Sequence, residues 1–119
     1  MPVVELASGD LQGVDAVVDK DLATGLLARE LGAECIITLT QVDSVYVDYG
    51  RDGQRALRDV GLEEISAHYE QGHFPPGSMG PKIEAAIGFL RAGGKEVIIT
   101  SPELVGGAIE GRAGTRLRA

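Results

Sequence analysis

Two lysines and an aspartate are the residues best suited to act on a phosphoryl centre. Lys20 stands between Asp19 and Asp21 in the run V-V-D-K-D-L, and Lys82 lies in G-H-F-P-P-G-S-M-G-P-K-I-E-A-A, from Gly72 to Ala86. The first nine residues of that stretch hold two prolines, three glycines and a serine, a rigid loop that runs directly into a helix. Pro81 suits the first helical position, where its fixed backbone angle fits and its missing N–H goes unmissed. Lys82 then falls in the first turn, near free N–H groups and the positive end of the helix dipole. An ammonium there is unfavourable unless an anion lies between, and a phosphate is the natural candidate. A lysine flanked by two carboxylates, as Lys20 is, stays charged and held in place. Capping accounts equally well for acidic residues at a helix start, and a first-turn lysine is ordinarily solvated, so both readings stand on the residues alone.

Other chemistries find less support. Ser78 has no histidine–acid partner at a fixed spacing, which leaves acyl transfer without its parts. His73 reads as a helix-end residue satisfied by backbone, and His68, five residues earlier on another helical face, is a poor second ligand for zinc. Met79 reads as an apolar wall of the core or of a base pocket. Cys35 opens an apolar run and reads as inert packing; a lone cysteine agrees with a reducing compartment. Two lysines organised by an aspartate, with no dedicated base, fit phosphoryl transfer, which depends mainly on positioning and on neutralising negative charge.

These groups need elements to position them. A helix is expected from the stripe Leu22, Ala23, Leu26, Leu27 and Leu31, started by the aspartates and stopped by Gly32. Cys35–Leu39 and Glu96–Thr100 are short apolar runs, rich in β-branched residues, expected to be strands buried on both faces. Leu62, Ile65 and Tyr69 predict a helix over 62–71 closed by Gly72. Ile83, Ala86, Ile87 and Leu90 predict another from Pro81 to the Gly93-Gly94 pair. Pro2–Leu6 reads as a strand, Ala7–Gly13 as loop and Val14–Val18 as a short apolar stretch. Val45–Val47 reads as a short extended piece followed by turn residues, and Leu57 and Val60 have no clear assignment. Ser101-Pro102 opens a helix over about 102–110, and Thr115–Arg118 would be a final edge strand. The alternation indicates an α/β fold with a mainly parallel sheet. In such sheets ligands lie beyond the carboxyl ends of the strands, so Thr40-Gln41-Val42-Asp43 and Thr100-Ser101 should share an edge with the Gly72–Ala86 loop.

At 119 residues the chain is expected to be one domain, with a largely aliphatic core since aromatics are only 4%. It has no apolar run of about 18 residues to span a membrane, and no signal-peptide pattern, which points to the cytoplasm. A formal net charge of −7 argues against nucleic acid as a partner. In so acidic a chain, phosphate binding must rest on a few focused cations, and there are only three lysines, Lys20, Lys82 and Lys95.

Four segments carry a family likeness: V-V-D-K-D-L-A-T-G-L-L-A, L-T-Q-V-D-S-V-Y, E-Q-G-H-F-P-P-G-S-M-G-P-K-I-E-A-A and G-G-K-E-V-I-I-T-S. In order and spacing the chain resembles carbamate kinase, of the amino-acid kinase superfamily, over nearly its whole length. The resemblance implies an open three-layer αβα sandwich, homodimers, and transfer of a phosphoryl group between ATP and carbamate, usually toward ATP. It implies that Lys20 and Lys82 stabilise the transferring phosphoryl and that Asp21 orients them. Thr40, Asp43, Tyr46, Ser78, Met79 and Gly80 would lie at the ATP or ADP, with magnesium arriving on the nucleotide and no metal held by the protein alone. Gln41 departs from the family, which typically has aspartate there. The resemblance covers only the family's C-terminal, nucleotide-binding part. The missing half, supplied by a separate N-terminal-lobe chain or by a longer reading frame, would then be needed to complete the site. Two alternatives remain open: a non-catalytic nucleotide-binding or regulatory module, and a truncated fragment without independent function.

Overall fold

The computed structural model describes residues 3–13, 20–48, 50, 52–75 and 78–119. In chain order the elements are β1 (Val3–Glu5), β2 (Leu11–Gly13), α1 (Lys20–Leu31), β3 (Cys35–Leu39), β4 (Val45–Val47), β5 (Arg55–Leu57), β6 (Asp59–Gly61), α2 (Leu62–Glu70), α3 (Met79–Arg91), β7 (Glu96–Thr100), a 3-10 turn (Pro102–Leu104), α4 (Val105–Ile109) and β8 (Thr115–Arg118). The main sheet has the order β3-β7-β8-β6. Two of its three pairings are parallel: β3 on β7, with Cys35 opposite Glu96, and β6 on β8, with Asp59 opposite Arg116. β7 and β8 run antiparallel. Two separate antiparallel pairs, β1-β2 and β4-β5, complete the set. This is the α/β, mainly parallel architecture expected.

The core is aliphatic, as the low aromatic content requires. Ile65 of α2 and Ile83 of α3 are fully buried, and they share one cluster with Val97 and Ile99 of β7 and Leu117 of β8. Burying side chains of this size contributes about 2 kcal/mol each. Ile98 points to the opposite face of β7, outside that cluster, and is buried too. Ala108 of α4, also buried outside the cluster, belongs to the short helix that packs on β7. Helices thus cover both faces of the central strand, and α2 and α3 lie together on one side. Arg116 ties α4 to the sheet by donating to the carbonyls of Ala108 and Ile109, at 3.3 and 2.9 Å, at the helix's C-terminal end.

Several expectations change. The stretch 7–13 is not all loop, because Leu11–Gly13 pairs with β1. Leu57 and Val60 belong to β5 and β6, and both are buried. β8 is an interior strand, flanked by β7 and β6. β3 lies at an edge instead, as β6 does at the other: in β3 only Ile36 is buried, while Ile37 and Leu39 are exposed. A β-branched apolar run does not distinguish a central strand from an edge that something else covers. The leucine stripe of α1 is likewise not its buried face. Leu22, Leu26, Leu27 and Leu31 are exposed, and Gly25 and Ala28 turn inward. The reason is backbone proximity: a Cβ at Gly25 would lie 3.6 Å from the Ala85 carbonyl oxygen of α3, so the helices meet on small residues. The C-terminal helical segment begins as a 3-10 turn and becomes α-helical only at Val105, and Ser101 makes no side-chain cap bond. Among the described residues, no helix is long and apolar enough to cross a membrane.

Thr115 is the bolt between the main sheet and the β4-β5 pair. Its fully buried hydroxyl accepts the Val45 N–H at 2.8 Å and donates to the Leu57 carbonyl. Thr115→Val preserves shape but strands both backbone groups. Urea unfolding should show a loss of about 3 kcal/mol, against less than about 0.5 kcal/mol for Leu31→Ala on the exposed face of α1.

Candidate functional site

A cavity of about 1170 Å³ opens at the carboxyl ends of β3 and β7. Its wall includes Lys20 and Asp21 from the start of α1, Leu39, Thr40, Gln41 and Val42 from the end of β3, and Ser44 and Tyr46. Opposite stand His73, Phe74 and Pro75, then Ser78, Met79, Pro81 and Lys82 at the start of α3, with Pro102 and Glu103 closing the rim. The strand-end segments and the loop do share one edge.

The link between the two helix starts is an ion pair. Lys82 Nζ donates to both carboxylate oxygens of Asp21, at 3.2 and 3.3 Å, and each side chain is 22% exposed. Lys20 lines the same cavity, but as a sequence neighbour of Asp21 it projects from a different side of α1. Asp21 therefore organises Lys82 directly, and Lys20 shares only the cavity. Asp19 lies outside the described residues, as do Pro76 and Gly77 of the loop.

α3 begins at Met79, so Pro81 is its third residue, two positions later than expected. The loop folds back against the helix start to allow this. The Pro75 carbonyl accepts the N–H groups of Ser78 at 3.2 Å and Gly80 at 2.8 Å. No side chain fits at Gly80, where a Cβ would lie 2.8 Å from that carbonyl oxygen. With those two donors engaged and Pro81 lacking one, the helix end offers an anion its dipole and Lys82 more than a free cradle of N–H groups.

The strand-end segment is fixed from within. Thr40 N–H donates to the Thr100 carbonyl at 2.8 Å, continuing the β3-β7 ladder, and the Thr100 hydroxyl donates to the Asp43 carbonyl at 3.4 Å. The Asp43 carboxylate accepts the Tyr46 hydroxyl at 2.7 Å. Asp43 is thus not a wall residue but the anchor of one. Gly80, too, acts through backbone packing and is absent from the wall, whereas Thr40, Tyr46, Ser78 and Met79 line it. Phe74, Pro75 and Glu103 line the cavity without having drawn notice as site residues. For Phe74 and Pro75 the signal was their place in the loop itself; Glu103 has none.

The two histidines are closer than helical faces suggest: the His68 and His73 rings meet edge to face, centroids 5.4 Å apart. No group of three metal-ligating side chains is found among the described residues. Cys35 sits exposed on the edge strand, not in the packing. Partial burial, then the nearby Glu96 carboxylate, raises its thiol above the ordinary value. A raised value means less thiolate at a given pH, so iodoacetamide should alkylate it slowly at neutral pH. Glu96→Gln removes the repulsion and should speed alkylation about threefold.

A mainly parallel sheet with two lysines and a carboxylate lining the cavity at its carboxyl edge places the chain among α/β proteins, and its relatives narrow the class. The chain belongs to the amino acid kinase family, whose family model matches residues 2–101. It is 49% identical, over 98% of its length, to the carbamate kinase-like protein YahI of Escherichia coli, and 46% identical over 97% to the carbamate kinase of Thermoplasma volcanium. In each case it spans about 37% of the relative's length. Among solved structures it matches the carbamate kinase of Giardia lamblia bound to AMP-PNP with a TM-score of 0.90 at 44% identity, covering 95% of this chain and 36% of that one. N-acetylglutamate synthase from Neisseria gonorrhoeae, at 20% identity and TM-score 0.70, shares the fold.

Proposed function

We propose that this chain is the nucleotide-binding part of a carbamate kinase-type phosphotransferase, working on ATP + carbamate ⇌ ADP + carbamoyl phosphate in a cytoplasmic setting. The observation that carries this reading is the Asp21–Lys82 pair in the wall of a cavity that Lys20 also lines. Two cations facing one space suit a phosphoryl group that accumulates negative charge, and a carboxylate that holds one of them reduces the cost of ordering it. Thr40, Tyr46, Ser78 and Met79 contact the nucleotide, with Asp43 holding Tyr46 and Gly80 admitting the loop. Asp21 and Glu103 are the acidic wall residues, and Asp21 is engaged by Lys82. This donor set fits a magnesium ion brought by the nucleotide phosphates, not one caged by the protein. Such an ion would supply neutralisation of phosphate charge.

The carbamate side of the reaction is assigned to residues outside these 119, in one longer chain or in a separate N-terminal-lobe chain. The open edge of β3, with Ile37 and Leu39 exposed, and the exposed leucines of α1 favour a further segment packed here, within a homo-oligomer of the completed unit.

Titration calorimetry with magnesium present should show binding of both ADP and AMP-PNP. Lys82→Ala should weaken AMP-PNP about tenfold and ADP by less than about threefold, since the lysine serves the transferred group. Mixed with the N-terminal lobe of a carbamate kinase, the chain should form ATP from ADP and carbamoyl phosphate, at a rate about 100-fold lower for Lys82→Ala. No binding of either nucleotide rules the reading out. Tight binding indifferent to Lys20→Ala and Lys82→Ala would leave a non-catalytic nucleotide module.

A further inference from the structure

His73 occupies a position that the proposed phosphoryl chemistry does not use, yet its ring lies in the cavity wall beside Phe74 and Pro75. It is 20% exposed, and both of its ring nitrogens face protein groups. Nδ1 lies 3.4 Å from the backbone nitrogen of Asp48, which donates to it, and 3.6 Å from the Asp48 carboxylate. Nε2 lies 3.2 Å from Gln71 Oε1. An amide N–H can bond only to a ring nitrogen carrying a lone pair, so Nδ1 is the bare one and the proton sits on Nε2, aimed at the Gln71 oxygen. The other ionisable groups nearby come from α2: His68, in edge contact with the ring, and Glu64, 3.8 Å from His68 Nε2. The remaining neighbour is Phe74, its ring centroid 6.5 Å away.

Asp48 is the reason this contact matters. It follows β4 directly and is the one described non-glycine residue with a positive φ, 53°, a strained conformation for a side-chain-bearing residue. Two residues earlier, Tyr46 forms part of the cavity wall. The His73–Asp48 contact therefore ties two segments of the cavity wall together. One is the turn after α2 that carries Phe74 and Pro75, and the other is the β4 end that carries Tyr46.

We infer that His73, as the Nε2–H tautomer, is a positioning residue that clamps the Phe74–Pro75 wall to the end of β4 and so sets the width of the nucleotide cavity. The cavity's ligand rests on the nucleotide reading above; the clamp itself does not. An Nδ1–H would confront the Asp48 amide and have to turn to the carboxylate 3.6 Å away, replacing the amide contact that defines the clamp.

The test uses the 119-residue chain in three measurements. Long-range nitrogen–proton NMR spectra should show His73 with Nδ1 bare and Nε2 protonated. Hydrogen exchange at the Asp48 amide should be slow in the wild type, about tenfold faster in His73→Ala, and slow again in His73→Asn, whose side-chain oxygen can replace Nδ1 as acceptor. ADP affinity should fall about fivefold in His73→Ala and recover in His73→Asn, but not in His73→Gln, whose longer side chain mimics Nε2 instead. A protonated Nδ1, or Asp48 exchange unchanged in His73→Ala, overturns the clamp even if ADP binds. If the wild type binds no ADP, the nucleotide reading fails, while tautomer and exchange still decide the clamp. Should His73→Ala fail to fold, the wild-type tautomer and the contrast between His73→Asn and His73→Gln decide it.

Discussion

The close approach of the Pro75 carbonyl to Gly80 is the constraint on which the site depends. That one oxygen accepts two N–H groups of the loop and helix start, and it leaves no room for a side chain at Gly80. The consequence is geometric. The loop must fold back over the first turn of α3, which brings Phe74 and Pro75 into the same wall as Met79 and Lys82. Were the loop to leave the helix in a more open path, Lys82 would keep its place on α3 but lose the Phe74–Pro75 part of the wall beside it. The energy of a single short hydrogen bond is about 1 kcal/mol; its importance here lies in what the missing Cβ permits.

A second dependence runs through the helix pair. α1 and α3 approach on small residues, with Gly25 over Ala85, and this proximity lets Asp21 reach Lys82. The ion pair is half a consequence and half a cause: it is too exposed to hold two helices together alone, and the packing would place the carboxylate correctly even if the pair contributed little. What the pair adds is order in the lysine. A long side chain with several rotamers is held beside the cavity, and an anion binding there would order it at a smaller entropy cost.

How much of this was legible in the sequence varies with the range of the interaction. Elements whose evidence is local were readable: the periodic apolar residues of α3, the β-branched run of β7, and the stop at Gly72. Errors came where tertiary context decides. The leucines of α1 obey helical spacing, but spacing reports amphipathicity and not which face meets a neighbour, and Gly25 and Ala28 took that role. Thr115–Arg118 is an interior strand and not the expected edge, since position along the chain does not set position in the sheet. Of the site, Lys20, Asp21 and Lys82 all line the cavity, and Asp21 holds Lys82. Asp43 and Gly80 turn out to act one step back, the first by holding Tyr46 and the second by admitting Pro75. No sequence pattern separates a residue that touches a ligand from one that positions the residue that does.

The open surface also bears on how the chain is used. Among the described residues β3 is an edge strand, and its outer backbone groups with the exposed Ile37 and Leu39 invite pairing with another segment. The face of α1 adds four more exposed leucines. Sequences that keep such surfaces in an isolated domain usually blunt them with charge, and this chain, though acidic overall, places its leucines there instead. The cavity lies at the carboxyl end of that same edge strand. A strand pairing in parallel with β3 would end beside Thr40 and Gln41, at the mouth of the cavity. Covering the edge would thus also narrow the mouth of the cavity that Lys20 and Lys82 line.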